Sequence, residues 1–135
     1  MIPVVRNLTA KKLIGQRIHT SFSENRTPEL WRNFMPRRKE ILDAVNTDLI
    51  SMQVYRDLPD FSIFNPALVF DKWAAVEVNS FDHVPAGMDT FTIPGGLYAV
   101  FLHKGGPARA NESFGYIFGS WLPASDFEAD HRPHF

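Results

Sequence analysis

Trp31-Arg32-Asn33-Phe34-Met35-Pro36 and Phe118-Gly119-Ser120-Trp121-Leu122-Pro123 are two versions of one pattern. Each has an aromatic residue, two polar or small residues, a second aromatic, Met or Leu, and a proline. The copies start at positions 31 and 118, 87 residues apart in a chain of 135. A strand-like run leads into each. A strand–helix unit written twice implies two similar halves facing each other across a pseudo-twofold. The seam between such halves is a natural place for a ligand pocket.

Working outward from the first copy, Leu13 to Phe22 reads as a strand. Thr27 is placed as N-cap, Pro28 at the first helical position and Glu29 near the positive end of the helix dipole. Leu30, Trp31, Phe34 and Met35 share one helical face. Pro36 breaks or kinks that helix, and Arg37 to Val45 reads as a second helical stretch. Ile50 to Arg56 and Trp73 to Asn79 alternate as strands. Leu58–Phe70 and Val84–Pro94, with their prolines, read as connections.

Around the second copy, Pro94-Gly95-Gly96 is a turn before a strand from Leu97 to Lys104. Gly105-Gly106-Pro107 breaks it, and a helix follows from about Ala108 to Leu122. Phe114, Ile117, Phe118, Trp121 and Leu122 form its apolar stripe, and Pro123 ends it. Phe127 to Phe135 is turn-rich and closes on the start of a further strand. The second half therefore reads as one strand short of the first.

The totals bound the function. A chain of this length forms one domain with a real core. Net charge is −1 and pI about 6.5, without the basic footprint of nucleic-acid binders. There is no cysteine, so disulfides and thiolate zinc sites are excluded. No secretory leader is read at Met1–Arg6, and the longest apolar run, Leu97–Leu102, is far short of a membrane span. A cytoplasmic protein is expected. Twelve Phe, three Trp and three Tyr fill cores but also line small-molecule pockets.

Taken together, the two alternating strands place Ser51, Gln53 and Tyr55 beside Trp73, Glu77 and Asn79, opposite an aliphatic face. A surface mixing Tyr, Trp and a carboxylate suits a flat or cationic organic ligand. The alternative is a partly exposed sheet with Trp73 under the connecting loop. His131 and His134, among Asp126, Glu128 and Asp130, read as a polar tail. His19 and His103 lie near the ends of the opening strands of their halves. No Gly-x-Ser-x-Gly elbow accompanies them, and the glycine pairs build no phosphate loop. Arg32, Arg37, Arg38 and Lys39 form a basic cluster read as a solvated face or a contact for an acidic partner.

The run Pro94-Gly95-Gly96-Leu97-Tyr98-Ala99-Val100-Phe101-Leu102-His103-Lys104-Gly105, followed by Tyr116–Pro123 and Arg132-Pro133-His134-Phe135, closely resembles the GyrI-like small-molecule-binding family. These are effector-binding domains of AraC-type and MerR-type bacterial transcription activators, some standing alone. Leu30–Arg38 resembles the first helix of the AraC-linked branch. The resemblance implies an α+β fold of duplicated β-α-β-β units (two SHS2-like modules), one curved antiparallel sheet and two main helices. The first repeat would run over about 11–80 and the second over about 90–135, its final strand missing. It also implies an aromatic cavity for lipophilic, often cationic, drugs and dyes. Tyr55 matches a pocket aromatic, and Tyr116, Phe118 and Trp121 match second-helix aromatics.

The family's acidic residue belongs to the absent strand, so Glu77 is the expected substitute. The expected pocket is Trp31, Phe34, Tyr55, Trp73, Glu77, Tyr98, Tyr116 and Trp121, with no catalytic residue, metal or cofactor. The expected partner is a small molecule. Direct nucleic-acid contact is not expected, since no helix-turn-helix precedes the domain, and membrane contact is not expected from so short an apolar run. The unfilled sheet edge offers a route to a homodimer. Two other readings stay open: hydrolysis of strained electrophiles, and protein interaction of the gyrase-inhibitor kind.

Overall fold

The computed structural model describes residues 2–61, 63, 65–106 and 109–135. Two adjacent strands open it, β1 (Val4–Leu8) and β2 (Lys11–Thr20). Helix α1 (Thr27–Phe34) follows and runs directly into a 3₁₀ turn at Met35–Glu40. Then come β3 (Ile50–Val54), β4 (Phe70–Val78), β5 (Asp89–Ile93) and β6 (Gly96–Val100). The last helical segment is composite: α2 (Ala110–Tyr116), a π turn at Ile117–Trp121 and the short α3 (Leu122–Ala124). All strand pairings are antiparallel, and the fold is α+β.

The strands form two sheets rather than one. Four lie in the order β3-β4-β2-β5, while β1 and β6 make a separate ribbon. β1 and β5 lie where the sequence pattern predicts no strand. β1 is exposed along nearly its whole length, so it carries no burial signal. In β5 only Phe91 and Ile93 turn inward, between threonines. The end of the chain touches the larger sheet. Gln53 and His134 exchange backbone hydrogen bonds at 2.7 and 3.0 Å, so the tail begins to pair along the outer edge of β3.

Helix α1 starts one residue earlier than expected. Arg26, not Thr27, is the N-cap, and it lacks a side-chain cap. The free amides are met from outside the helix. Thr20 Oγ1 accepts from the Arg26 N–H at 2.8 Å, and Asn25 Oδ1 accepts from Thr27 N–H at 3.1 Å. Pro36 does end regular helix. The expected second helix over 37–45 shrinks to the 3₁₀ turn, after which Ala44 pairs with Val78 at the sheet edge. Arg37 explains part of this. Its guanidinium donates to Glu40 at 2.8 and 3.1 Å and to the Ala86 carbonyl at 2.5 Å, binding the turn to the loop before β5. Arg38 donates to the Thr47 carbonyl. Two of the four basic residues are therefore structural ties rather than a free cationic face.

Both faces of the larger sheet are covered. On one, Ile14, Ala74, Val76 and Val78 pack under Leu30, Phe34 and Ile41 of the α1 layer. On the other, Leu13, Met52, Trp73, Ala75 and Ile93 form a second core, closed by Phe91 and by Tyr98 from the ribbon. Register decides which strand residues share a face. Met52 lies opposite Trp73, and Gln53 opposite Lys72. Directly opposed residues project to the same side. The combined face read from the sequence is therefore split. Ser51, Gln53 and Tyr55 lie on the helix side of the sheet, and Trp73 and Glu77 lie on the ribbon side. Alternation gives the faces of one strand; it does not give the register between two.

The second helix was expected from about Ala108, which lies outside the described residues. Its apolar stripe, Phe114 to Leu122, is half-buried as a helix laid on a surface should be. Pro123 does not stop it at once. It occupies the first turn of α3, where a missing N–H costs little.

Candidate functional site

The eight expected site residues fall into four places. Trp31 and Phe34 meet edge to face at 5.9 Å within the α1 core, Phe34 fully buried. Trp73 is buried on the ribbon side, edge to face with Phe91 at 5.5 Å, and the Arg17 guanidinium lies over it at 5.9 Å. Tyr98 packs on that same core, donates its hydroxyl to the Pro94 carbonyl at 2.6 Å and lies under Arg132. Glu77 is also on that side, its carboxylate 3.3 Å from the Lys11 ammonium. Tyr55 lies on the helix side. Tyr116 and Trp121 belong to the C-terminal helical segment. None of the eight lines the groove described below.

Tyr55 leads to a cluster of rings at the end of β3. It is buried against Phe61 (5.3 Å), Phe70 (5.4 Å) and His134 (5.5 Å). Phe61 stacks on Phe118 at 4.7 Å and tilts against His134 at 4.8 Å. Phe118 stacks on His134 at 5.3 Å and 24°. Four elements are thereby joined: the end of β3, the β3–β4 connection, the π turn and the tail. The π turn positions Phe118, and such turns recur at functional sites because they re-aim side chains.

Over this stack opens a groove of about 510 Å³. One wall is Leu58–Phe61; the other is Phe118, Leu122, Pro123 and residues 125–129. Three rings line it, Phe61, Phe118 and Phe127, together with three carboxylates, Asp60, Asp126 and Glu128. Among the described residues no lysine or arginine does. Trp121 stacks on Phe127 at 6.2 Å and meets Phe101 at 5.1 Å, so an indole stands directly behind one wall.

Behind the stack the polar groups are desolvated. His134 is pushed down to about 4 by burial, so it is neutral at physiological pH. Burial raises the Tyr55 hydroxyl, against the Gln53 amide that donates to it at 2.8 Å. Lys72 donates to Gln53 Oε1 at 3.3 Å and is lowered to about 8 by burial. Among the described residues no cluster of three His, Cys, Asp or Glu is placed to hold a metal ion. Among the described residues no helix is long and apolar enough to cross a membrane.

Residues 6–135 match the family described as integron-associated effector binding protein. The chain belongs to that family. It is an effector-binding domain related to transcription regulators. Over 131 residues it is 28% identical to the transcriptional regulator BrlR of Pseudomonas aeruginosa, covering 92% of this chain and 46% of BrlR. The chain thus spans about half the length of that curated relative. Among solved structures its fold resembles that of SAV2435 bound to tetraphenylphosphonium, with TM-score 0.70 and 14% identity. That alignment covers 98% of this chain and 80% of the other. A second resemblance is to a protein from Staphylococcus aureus MU50, with TM-score 0.67 and 10% identity over 98% and 83% of the two chains.

Tyr55, expected in the pocket, packs on Phe61 and His134 and is not part of the groove lining, and Phe61, Phe127, Asp126, Glu128 and His134 are not among the expected pocket residues. The signal was present in the tail, where acids and aromatics alternate in Asp126-Phe127-Glu128. A solvated terminal segment reads the same way, and only contact with Phe61 and Phe118 separates the two.

Proposed function

We propose that this effector-binding domain takes lipophilic aromatic cations into the groove between Leu58–Phe61 and residues 118–129. The observation that carries the reading is the lining itself, with three rings, three carboxylates and no basic side chain among the described residues. Ring faces attract cations at about 0.5–2 kcal/mol per contact. The carboxylates add an attraction that neutral ligands do not feel. Glu77 is paired with Lys11, and the counter-charge is assigned to Asp126 and Glu128. The tetraphenylphosphonium held by SAV2435, a protein of like fold, is a ligand of this chemical class.

Strand pairing supports reading the site as a seam between repeated halves. β1 pairs with β6, and β2 with β5. Exchanging β1 with β5 and β2 with β6 leaves this pattern unchanged. β1 and β5 start at positions 4 and 89, β2 and β6 at 11 and 96, each pair 85 residues apart. That spacing is close to the 87 between the aromatic–proline motifs.

Tryptophan fluorescence tests the proposal, because Trp121 stands behind the groove. Tetraphenylphosphonium should quench it saturably, and neutral triphenylphosphine oxide should bind more weakly. The double variant Asp126→Asn/Glu128→Gln should weaken cation binding about tenfold and leave the neutral ligand unchanged. Equal affinity for cation and neutral analogue, or no saturation at millimolar concentration, would overturn it.

A further inference from the structure

Away from the groove, the second half holds a paired serine and histidine. His103 lies just beyond β6, and Ser113 lies on α2. His103 Nδ1 is 2.5 Å from Ser113 Oγ, and its Nε2 is 2.7 Å from the Gly106 carbonyl oxygen. A carbonyl only accepts, so Nε2 carries the ring proton. Nδ1 is then left as the acceptor of the Ser113 hydroxyl. A nucleophile is bonded to a base, and the base is oriented by a third group. Both side chains are half-buried and line one cavity of about 320 Å³ with Leu102, Lys104, Arg109 and Glu112. Arg109 is held by Glu112 at 3.0 and 2.9 Å. With Arg109 paired to Glu112, Lys104 leaves the lining net positive, and positive charge of this kind stabilises a developing oxyanion.

We propose that Ser113 and His103 form an acyl-transfer site that hydrolyses small carboxylic esters, separate from the ligand groove. Ser113 Oγ attacks the ester carbonyl carbon as its proton passes to His103 Nδ1. The bond to the leaving alcohol breaks, and that proton goes to the departing oxygen, leaving an acyl-serine. Water then attacks the acyl carbon and gives a proton to Nδ1. The acyl–Oγ bond breaks, the proton returns to Oγ, and a carboxylic acid is released. Throughout, Gly106 keeps the imidazole oriented and shares the charge of the imidazolium. The sequence offers no serine elbow at this position, so the pair emerges only from the fold.

An electrophilic alkyl fluorophosphonate, followed by intact-mass and peptide analysis, tests the site. One equivalent should attach at Ser113. Ser113→Ala should abolish the adduct, and His103→Gln should slow it at least about a hundredfold. 4-Nitrophenyl acetate should be hydrolysed with the same dependence on both residues. The chain has no cysteine, so Ser113→Cys supplies a single thiol and guards against a folding artefact. That thiol should be alkylated by iodoacetamide much faster with His103 present than in the double variant that also carries His103→Gln. No adduct on the wild-type protein, an adduct elsewhere, or a thiol indifferent to His103 would overturn the assignment.

Discussion

Acidification should unfasten the tail from the sheet, through His134. Its ring lies among Tyr55, Phe61 and Phe118, and its backbone holds the edge of β3. Burial lowers it from 6.5 to about 4. Between those values the unfolded chain binds a proton that the folded chain refuses. Stability therefore rises with pH through this window. The contribution is complete above about 6.5 and lost as pH falls towards 4. A depression of that size is worth at most about 3 kcal/mol, or a fall in melting temperature of roughly 10 °C for a domain of this length.

The assay is thermal melting from about pH 7 to about pH 4 on the wild type and on His134→Phe, which keeps an aromatic in the stack without a titrating nitrogen. The difference between the two profiles should grow steadily below pH 6.5, the wild type losing more. Carboxylate titration affects both proteins and cancels. Parallel profiles would refute the reasoning, because they would mean that His134 charges as readily folded as unfolded.

Three more outcomes follow from the same interior. Lys72→Met should raise stability near neutral pH by about 1–2 kcal/mol, since a desolvated ammonium is removed at the cost of one hydrogen bond to Gln53. In the wild type that burial penalty is relieved as pH climbs from about 8 towards 10.5, and denaturant titration should show the rise absent in the variant. Tyr55→Phe should cost about 1–2 kcal/mol by the same measurement, because the buried Gln53 amide loses its acceptor. Gly15→Ala should cost about 3 kcal/mol or more, with loss of soluble protein as the readout. A Cβ there would lie 2.6 Å from the Cα of Ala75 on the paired strand, which has no room to yield.

Much of the fold was legible because the period of burial is written locally. The α1 face, the β3 and β4 alternation and the stripe from Phe114 to Leu122 each depend on neighbours a few residues apart. What failed depended on partners far away. Tyr55 and Trp73 looked like one surface until register put Met52, not Gln53, opposite Trp73. Arg37 looked solvated until the Ala86 carbonyl, 49 residues on, was brought to it. The site was legible only in part for the same reason. Its rings come from positions 55, 61, 118 and 134, and no local pattern links a loop aromatic to a terminal histidine.

The repeated motif now shows how one pattern serves two ends. Aligning the copies puts Trp31 with Phe118 and Phe34 with Trp121. In the first copy both rings turn into the α1 core, and Phe34 is wholly enclosed. In the second, Phe118 stacks on His134 and Trp121 stacks on Phe127, both rings half-buried within the π turn. The enclosed core under α1 and the groove aromatics on the C-terminal segment are thus distinct places. The two are joined where His134 is pinned between Gln53 and Phe118. A ligand stacked on Phe61 and Phe118 favours the pinned tail, and by linkage the pinned tail favours the ligand. Tetraphenylphosphonium should therefore shift the His134-dependent fall in stability to lower pH, and a tail substitution that loosens position 134 should weaken the ligand by the same free energy.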